Sequence, residues 1–245
     1  MLSGTEKINE RKRLAAIPAL EQPFTVRLKF RKVGKLQYVS HLDLQRTFMR
    51  VIVRACIPAW YTKGFNPHAK LVFSTPLGVG TESECEFLDI RIDKPISPKE
   101  IMDRLNGELT DELRIVDAYI PQSDFSEIAY ADYDIWIKTE GGDSETAKRI
   151  RAALEASPLT VTKKTKSGEK EIDIVPLIKS LCVGYADGQI IMSATLSASV
   201  GEFLAPEMII KGLKERCGIL SGNPTEEWYK IKRTAIRRKD MSLFR

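Results

Sequence analysis

Both histidines of the chain stand in one stretch that is rich in basic residues and glycines. His41 lies in YVSHLDLQR, and His68 lies in GFNPHAK. An imidazole titrates near neutral pH, so either side chain could donate or accept a proton during catalysis. Histidine is also a common metal ligand, but only Asp43 and Asp89 stand nearby as further ligands, and the four cysteines form no CxxC or CxxxC pair. The sequence therefore predicts no metal centre and no cofactor.

Three arginines, Arg46, Arg50 and Arg54, stand four residues apart in the same stretch. On a helix this spacing puts them on one stripe. Residues 24–80 include ten Lys or Arg and one acidic residue, whereas residues 81–145 include six basic and eighteen acidic residues. A basic surface of this kind binds anionic backbones such as RNA by releasing counterions. The alternatives are a solvated helix face and a surface that docks an acidic protein.

Two loops with the sequences GFNPH and PLGVG follow the arginines. They could flank a pocket with His41 in which backbone amides cradle an anion, and Tyr61 and Phe65 could stack on bases. The same residues could instead be structural, because Asn before Pro favours a turn, Gly permits positive φ, and aromatic side chains pack in cores. The candidate binding residues of the first loop are Gly64, Phe65, Asn66 and His68.

A basic hairpin is predicted from residue 159 to residue 174, with Ser167 and Gly168 at its tip. Its lysines would add a second positive surface for an anionic backbone. The candidate binding residues here are Lys163, Lys164 and Lys166, and Lys170 stands on the returning strand.

Hydrophobic periodicity predicts the elements that position these residues. Residues 24–30 alternate apolar and polar side chains, which is typical of a strand. Ser40 is a good helix N-cap, and the helix that it begins must end before Pro58. Helical geometry turns His41 about 140° away from the arginine stripe, toward the apolar side. His41 and the arginines are therefore not predicted to face one ligand, although a first-turn position could leave His41 accessible.

The predicted order of elements from residue 24 to residue 121 is β-α-β-β-α-β, the split βαβ pattern of a ferredoxin-like domain. The pattern partly repeats from residue 128 to residue 245, with the hairpin inserted. The sequence thus predicts an α+β fold of tandem ferredoxin-like domains, the second elaborated, behind a flexible leader at residues 1–23. We expect a cytoplasmic protein without membrane contact, because no apolar run approaches the roughly 18 residues of a membrane helix and no signal-peptide core is present.

The block YVSHLDLQRTFMR…GFNPHAKLVFSTPLGVGTESECEFLDI resembles the bacterial radical SAM-linked proteins, a domain family of unknown function. The likeness runs from about residue 24 to the end and is strongest at residues 38–89. Members are encoded beside, or fused to, a radical SAM enzyme. The chain lacks the CxxxCxxC of such an enzyme. The resemblance therefore implies a non-catalytic partner that presents a substrate, RNA or another anion, to a radical SAM enzyme.

Tandem ferredoxin-like domains with a His near the start of the first helix also look like the RAMP-type CRISPR RNA endonucleases, a likeness of fold alone. It implies metal-independent attack of a ribose 2′-hydroxyl on the adjacent phosphate, with a His as general acid or base and a Tyr or Lys assisting. The candidate catalytic residues would be His41, Tyr38 and Lys35. The Gly-rich loop that these nucleases carry near the C-terminus is missing, so the accessory subunit is the favoured interpretation.

Overall fold

In the computed structural model, which describes residues 3–165 and 168–245, the chain folds into helices and β-strands, and the predicted α+β class is confirmed. The chain divides into two compact units. The first extends to Asp124 and includes Arg245, and the second runs from Phe125 to Phe244. Within the described ranges, no helix is both long enough and apolar enough to cross a membrane.

The first unit alternates strands and helices along the chain. Its elements are α1 Gly4–Ala16, β1 Phe24–Lys32, α2 His41–Arg54, β2 Leu71–Phe73, β3 Thr81–Ile92, α3 Pro98–Asn106 and β4 Leu113–Tyr119. A 3-10 turn, Gly34–Tyr38, joins β1 to α2. The strands of this unit lie in the order β4-β1-β3-β2, and each neighbouring pair is antiparallel.

Helix α2 begins and ends close to where the sequence predicts. The Ser40 hydroxyl accepts a hydrogen bond from the Asp43 amide at 3.2 Å, and an N-cap contact of this kind is worth about 1 kcal/mol. The apolar face of α2 and the core-facing side of β1 belong to one buried cluster, so burial of apolar surface positions the helix on the sheet. Its members from these two elements are Val26, Leu28, Phe30, Leu44, Phe48, Val51 and Ile52.

The predicted flexible leader at residues 1–23 is wrong for most of its length, because α1 occupies residues 4–16. Ser3 forms a capping box with Glu6 at the start of the helix. Ion pairs then hold α1 on the first unit, from Lys7 to Glu108 at 2.6 Å and from Glu10 to Arg104 at 2.8 Å. Only one side chain of α1 is buried, so the helix docks mainly through charge and leaves little hydrophobic periodicity in the sequence.

The second unit also alternates strands and helices. Its elements are β5 Ile128–Lys138, α4 Ser144–Glu155, β6 Thr160–Thr165, β7 Gly168–Asp173, β8 Ile178–Ala186, β9 Gln189–Ser199, β10 Glu202–Phe203, α5 Pro206–Cys217 and β11 Trp228–Arg238. Four of its strands form antiparallel neighbours in the order β8-β9-β5-β11. Strand β10 pairs with the end of β9, and β6 and β7 form a separate hairpin.

Candidate functional site

Helix α2 presents the arginine stripe to solvent, but its three members differ in their partners. Arg46 Nη1 donates to Asp43 Oδ1 at 3.1 Å, and Arg54 Nε donates to Glu108 Oε2 at 2.9 Å. Arg50 forms no hydrogen bond or ion pair with any residue in the described part of the chain. Arg50 is therefore the member of the stripe whose charge meets solvent without a counter-charge.

The pair between Asp43 and Arg46 is a weak constraint on the stripe. The Ser40 hydroxyl, which donates to Asp43 Oδ2 at 2.7 Å, and the Arg46 guanidinium hold the pKa of the Asp43 carboxyl below its usual range. The carboxyl is therefore ionised at neutral pH. Both side chains are well exposed, so water and salt screen the pair and it contributes little to stability. A phosphate group can replace Asp43 as the partner of Arg46 at little cost.

Glu108 is the buried counter-charge of this region. Its side chain is 2% exposed, and its two oxygens accept hydrogen bonds from Lys7 of α1 and Arg54 of α2. Burial alone would raise the pKa of this carboxyl, but the hydrogen bonds and charges of Lys7 and Arg54 outweigh burial, so the pKa is lowered. Arg54 is thus a structural link between α2 and the segment after α3 as well as a surface cation.

His41 does not point into the core, and this part of the sequence interpretation is wrong. His41 is exposed, and its ring lies edge to face against Phe73 of β2, with ring centroids 4.9 Å apart. Leu42, the next residue of α2, is 62% exposed as well. His41 is the first residue of α2, and at a helix end the periodicity of the helix interior does not decide which side chains are covered.

The other two candidate catalytic residues stand in the 3-10 turn before α2. Tyr38 is 68% exposed, and Lys35 is also exposed. In the described part of the chain, no hydrogen bond joins the side chain of His41 to Tyr38 or Lys35. The three residues are therefore accessible, but they do not form a preassembled acid–base constellation.

The loop after α2 is a short hairpin that His68 holds together. The Thr62 amide donates a hydrogen bond to the His68 carbonyl at 3.0 Å, and the His68 amide donates one to Thr62 Oγ1 at 3.2 Å. The Nδ1 atom of His68 lies 3.0 Å from the Asn66 carbonyl oxygen. Gly64 has φ +152°, in the region that favours glycine. His68 and Asn66 thus fix the turn, as the structural alternative expects.

Phe65 stands at the tip of this hairpin with its side chain fully exposed, at 112% of the reference area. Tyr61 at the base is 41% exposed, and Lys63 and Lys70 are also exposed. The alternative in which Phe65 packs in the core is therefore wrong. The fixed backbone presents an aromatic ring between two lysines of the loop, and that arrangement can stack on a planar group beside an anion.

The loop with the sequence PLGVG is held by a different partner. The Gly80 amide donates to the Gln37 carbonyl at 2.9 Å, with φ +90° at Gly80. This contact ties the loop to the 3-10 turn. In the described part of the chain, no hydrogen bond, ion pair or ring contact joins His41 to His68, and no group of three or more His, Cys, Asp and Glu could hold a metal ion.

The lysine hairpin of the second unit is less basic than its lysine count indicates. Lys163 on β6 is exposed and stands opposite Lys170 on β7, while Lys164 stands opposite Glu169. Glu171 alternates with these lysines on β7. Lys166 lies outside the described residues. The hairpin is therefore a mixed-charge element.

One further basic residue of this region, Lys32, was not singled out from the sequence. It lies at the end of β1 on the same face as Leu28 and Phe30 and is only 2% exposed. Its Nζ donates to the Gln37 carbonyl at 3.1 Å. The alternation of β1 already places position 32 on the buried face, but a lysine is rarely buried, so the residue type gave no reason to single it out.

Comparison with known proteins identifies a family, but the description of that family names no activity. The model of a family described as "Uncharacterized protein conserved in bacteria (DUF2344)" matches residues 25–206. Among solved structures, the chain is similar to the crystal structure of a Cbf5-Nop10-Gar1 complex, with 10% identity and a TM-score of 0.45, over 89% of this chain and 50% of that one. The chain spans half the length of that solved chain, and so distant a likeness carries no functional argument. A search of curated proteins found no match.

Proposed function

Since the chain belongs to the bacterial family of uncharacterized proteins DUF2344, we propose that it is a non-catalytic binding module that presents single-stranded RNA to a partner enzyme. The observation that carries the proposal is the exposed ring of Phe65 on the hairpin after α2, residues 61–69, whose turn is fixed by His68. A fully exposed aromatic ring offers both of its faces to an unpaired base.

Single-stranded RNA suits this hairpin because its bases are unpaired and can stack. Base–aromatic stacking contributes about 1–3 kcal/mol for each base and tolerates any sequence. Lys63 and Lys70 stand on the two sides of the loop, where they can neutralise flanking phosphates. The hydrogen bonds of His68 fix the loop before binding, so little entropy is lost when RNA binds.

The arginine stripe supports the same proposal through a second set of contacts. Arg50 has no counter-charge among the described residues, and Arg46 can exchange Asp43 for a phosphate. Contacts of this type are independent of sequence and depend on salt, because each one releases condensed counterions. Together, a stacking hairpin and a basic helix face are the two components of most single-strand binding surfaces.

The partner enzyme in this proposal is a radical SAM enzyme. Its support is the resemblance of residues 38–89 to the radical SAM-linked proteins, together with the lack of the CxxxCxxC motif in this chain. An accessory subunit of this kind supplies binding energy and orientation, while the chemistry stays with the partner's cofactor.

We also propose that both units are ferredoxin-like. The support is that the first unit has the strand order β4-β1-β3-β2, and the second has the corresponding order β11-β5-β9-β8 when its inserted hairpin and β10 are set aside. In each unit two helices connect the strands in the split βαβ manner.

Two measurements test the proposed function. Fluorescence anisotropy with a labelled mixed-sequence RNA should give saturable binding, tighter for the single strand than for a duplex of equal length. Equal affinity for both forms would contradict the stacking role of the hairpin. Co-expression with a candidate radical SAM enzyme should give one complex on size exclusion, and separate elution with and without RNA would contradict the accessory role.

A second candidate function is metal-independent cleavage of RNA with His41 as general acid or base. The observation that favours it is the exposure of His41, Tyr38 and Lys35 in the segment that begins α2. The absence of hydrogen bonds among their side chains in the described residues argues against it. We expect no cleavage by the purified protein in EDTA. Cleavage that is lost in the His41→Ala variant would establish the enzyme instead.

A further inference from the structure

A cavity of about 290 Å³ opens in the first unit beside the arginine stripe. It lies between α2, the 3-10 turn and residues 108–113, the segment that leads from α3 into β4. All of its lining belongs to this unit. Its volume equals that of about ten water molecules at the liquid value of roughly 30 Å³ each. The space therefore suits a small molecule and is too small for a folded domain.

The walls of the cavity are largely aliphatic. Four of its lining side chains are leucines and two are valines, among them Leu36, Leu44, Val51 and Leu109. Leu44 and Val51 are buried members of the main core, so this side of the cavity is fixed by packing. Apolar walls of this type hold water poorly and favour an apolar guest.

The charged groups of the cavity are mostly positive. Lys32, Arg50 and Arg54 line it, with Glu108 as the single carboxylate of the lining. Glu108 is already bound by Lys7 and Arg54, and the Lys32 ammonium donates to the Gln37 carbonyl. Arg50 remains without a partner in the described residues. A guanidinium in this state offers a planar set of donors to a carboxylate or a phosphate.

We propose that this cavity binds a small amphiphilic anion, a carboxylate or phosphate monoester joined to a compact apolar body. The apolar body lies between Leu36, Leu44 and Leu109, and the anionic group meets Arg50. A ligand that has only one of the two halves should bind more weakly. A bare anion leaves the aliphatic walls in contact with water, and a neutral apolar molecule leaves Arg50 without a counter-charge. The site is separate from the Phe65 hairpin and shares Arg50 with the arginine stripe.

The experiment is isothermal titration with four probes: octanoate, octyl phosphate, octanol and inorganic phosphate. Octanoate and octyl phosphate should bind saturably at one site, and octanol and inorganic phosphate should bind at least about tenfold more weakly. Equal binding of octanoate and octanol would overturn the proposal, and so would the absence of saturable octanoate binding at millimolar concentration.

Variants separate this cavity from non-specific charge. Arg50→Gln should weaken octanoate binding about tenfold, the effect of losing one charge-assisted contact. Thr47→Met, which places a larger side chain on the lining of the cavity, should weaken octanol and octanoate alike. Lys99→Gln removes an exposed cation of α3 outside the cavity and should leave binding unchanged. An equal loss in Lys99→Gln and Arg50→Gln would overturn the proposal.

NMR spectra show where octanoate binds and whether each variant is folded. Amide chemical shifts on addition of octanoate should change at residues 36–54 and 108–113 and stay constant in the hairpin at residues 61–69. A folded Arg50→Gln protein, judged by the same spectrum without probe, makes its binding result decisive. Shifts concentrated in the hairpin would place the anion on the RNA surface and would refute the cavity.

Discussion

His41 and Phe73 meet edge to face, with ring centroids 4.9 Å apart and ring planes at 75°. Phe73 also packs on Phe30 and Phe48, at centroid distances of 6.3 and 6.0 Å. His41 is thus the outermost ring of an aromatic cluster that reaches into the core of the first unit. The contact joins the start of α2 to β2 and explains why His41 is held in place although its residue is exposed.

A double-mutant cycle should measure this contact directly. His41→Ala and Phe73→Leu should each lower the free energy of unfolding, and the coupling between them should be about 0.5–1.5 kcal/mol, the usual value for an aromatic pair. Urea unfolding of the four proteins gives the coupling. Strictly additive changes would show that the two rings are neighbours without mutual stabilisation.

The salt dependence of RNA binding should report the arginine stripe. Replacing Arg46 and Arg50 by Gln removes two phosphate contacts, so the slope of log Kd against log salt should fall by about 1.4, at roughly 0.7 for each contact to a single strand. Arg54 is left intact because it binds the buried Glu108. The matched control is Lys99→Gln on α3. An unchanged slope in the double variant would make the stripe a solvated helix face.

Phe65→Ser should separate stacking from stability. A fully exposed side chain contributes little to folding, so the free energy of unfolding should change by less than about 0.5 kcal/mol. The loss of one stacked base should weaken single-stranded RNA binding by about 5- to 150-fold, which corresponds to about 1–3 kcal/mol. Ile120→Ser, at a residue that is 60% exposed, is the control. Undiminished RNA affinity would assign the ring to a protein partner instead.

Sequence patterns predicted the parts of this fold that are built by apolar periodicity and caps. Ser40 caps α2 as expected, and β1 begins at the residue from which the alternation was predicted, with Val26, Leu28 and Phe30 on its buried face. Strand β8 was not predicted, because it is a mostly exposed strand of the sheet without alternation between buried and exposed residues. The same limit hid α1, which has one buried side chain and docks by ion pairs.

The candidate site was predicted in composition but not in geometry. The spacing of the arginines gave the stripe on α2, yet only three-dimensional contacts distinguish Arg50 from Arg46 and Arg54. The cavity depends on Lys32 and Glu108, which stand far apart in the sequence. Lys32 continues the buried alternation of β1 although its side chain is charged, and Glu108 follows the end of α3 and binds Arg54 of α2. No pattern in a single sequence brings these two residues together.

Docking of α1 should weaken in acid because of Glu10. The hydrogen bond with Arg13 has the largest effect on the pKa of the Glu10 carboxyl. Together with Arg104, and against the opposing effect of burial, it lowers that pKa from 4.5 to about 2. A carboxyl whose pKa is depressed in the folded state stabilises that state fully above its unfolded pKa, and the contribution is lost as pH falls toward the folded pKa. The window for this helix therefore lies between about pH 5 and pH 2.

Hydrogen–deuterium exchange of the α1 amides should show this loss. Protection should be constant from pH 7 to pH 5, after correction for intrinsic exchange rates, and should fall below pH 4.5 as the unfolded carboxyl binds its proton first. Glu10→Gln should already lower protection modestly at pH 7, because it removes the ion pair that joins Glu10 of α1 to Arg104 of α3. The wild type and the variant should then converge toward pH 2.5. Parallel curves over the whole range would show that Glu10 does not hold α1.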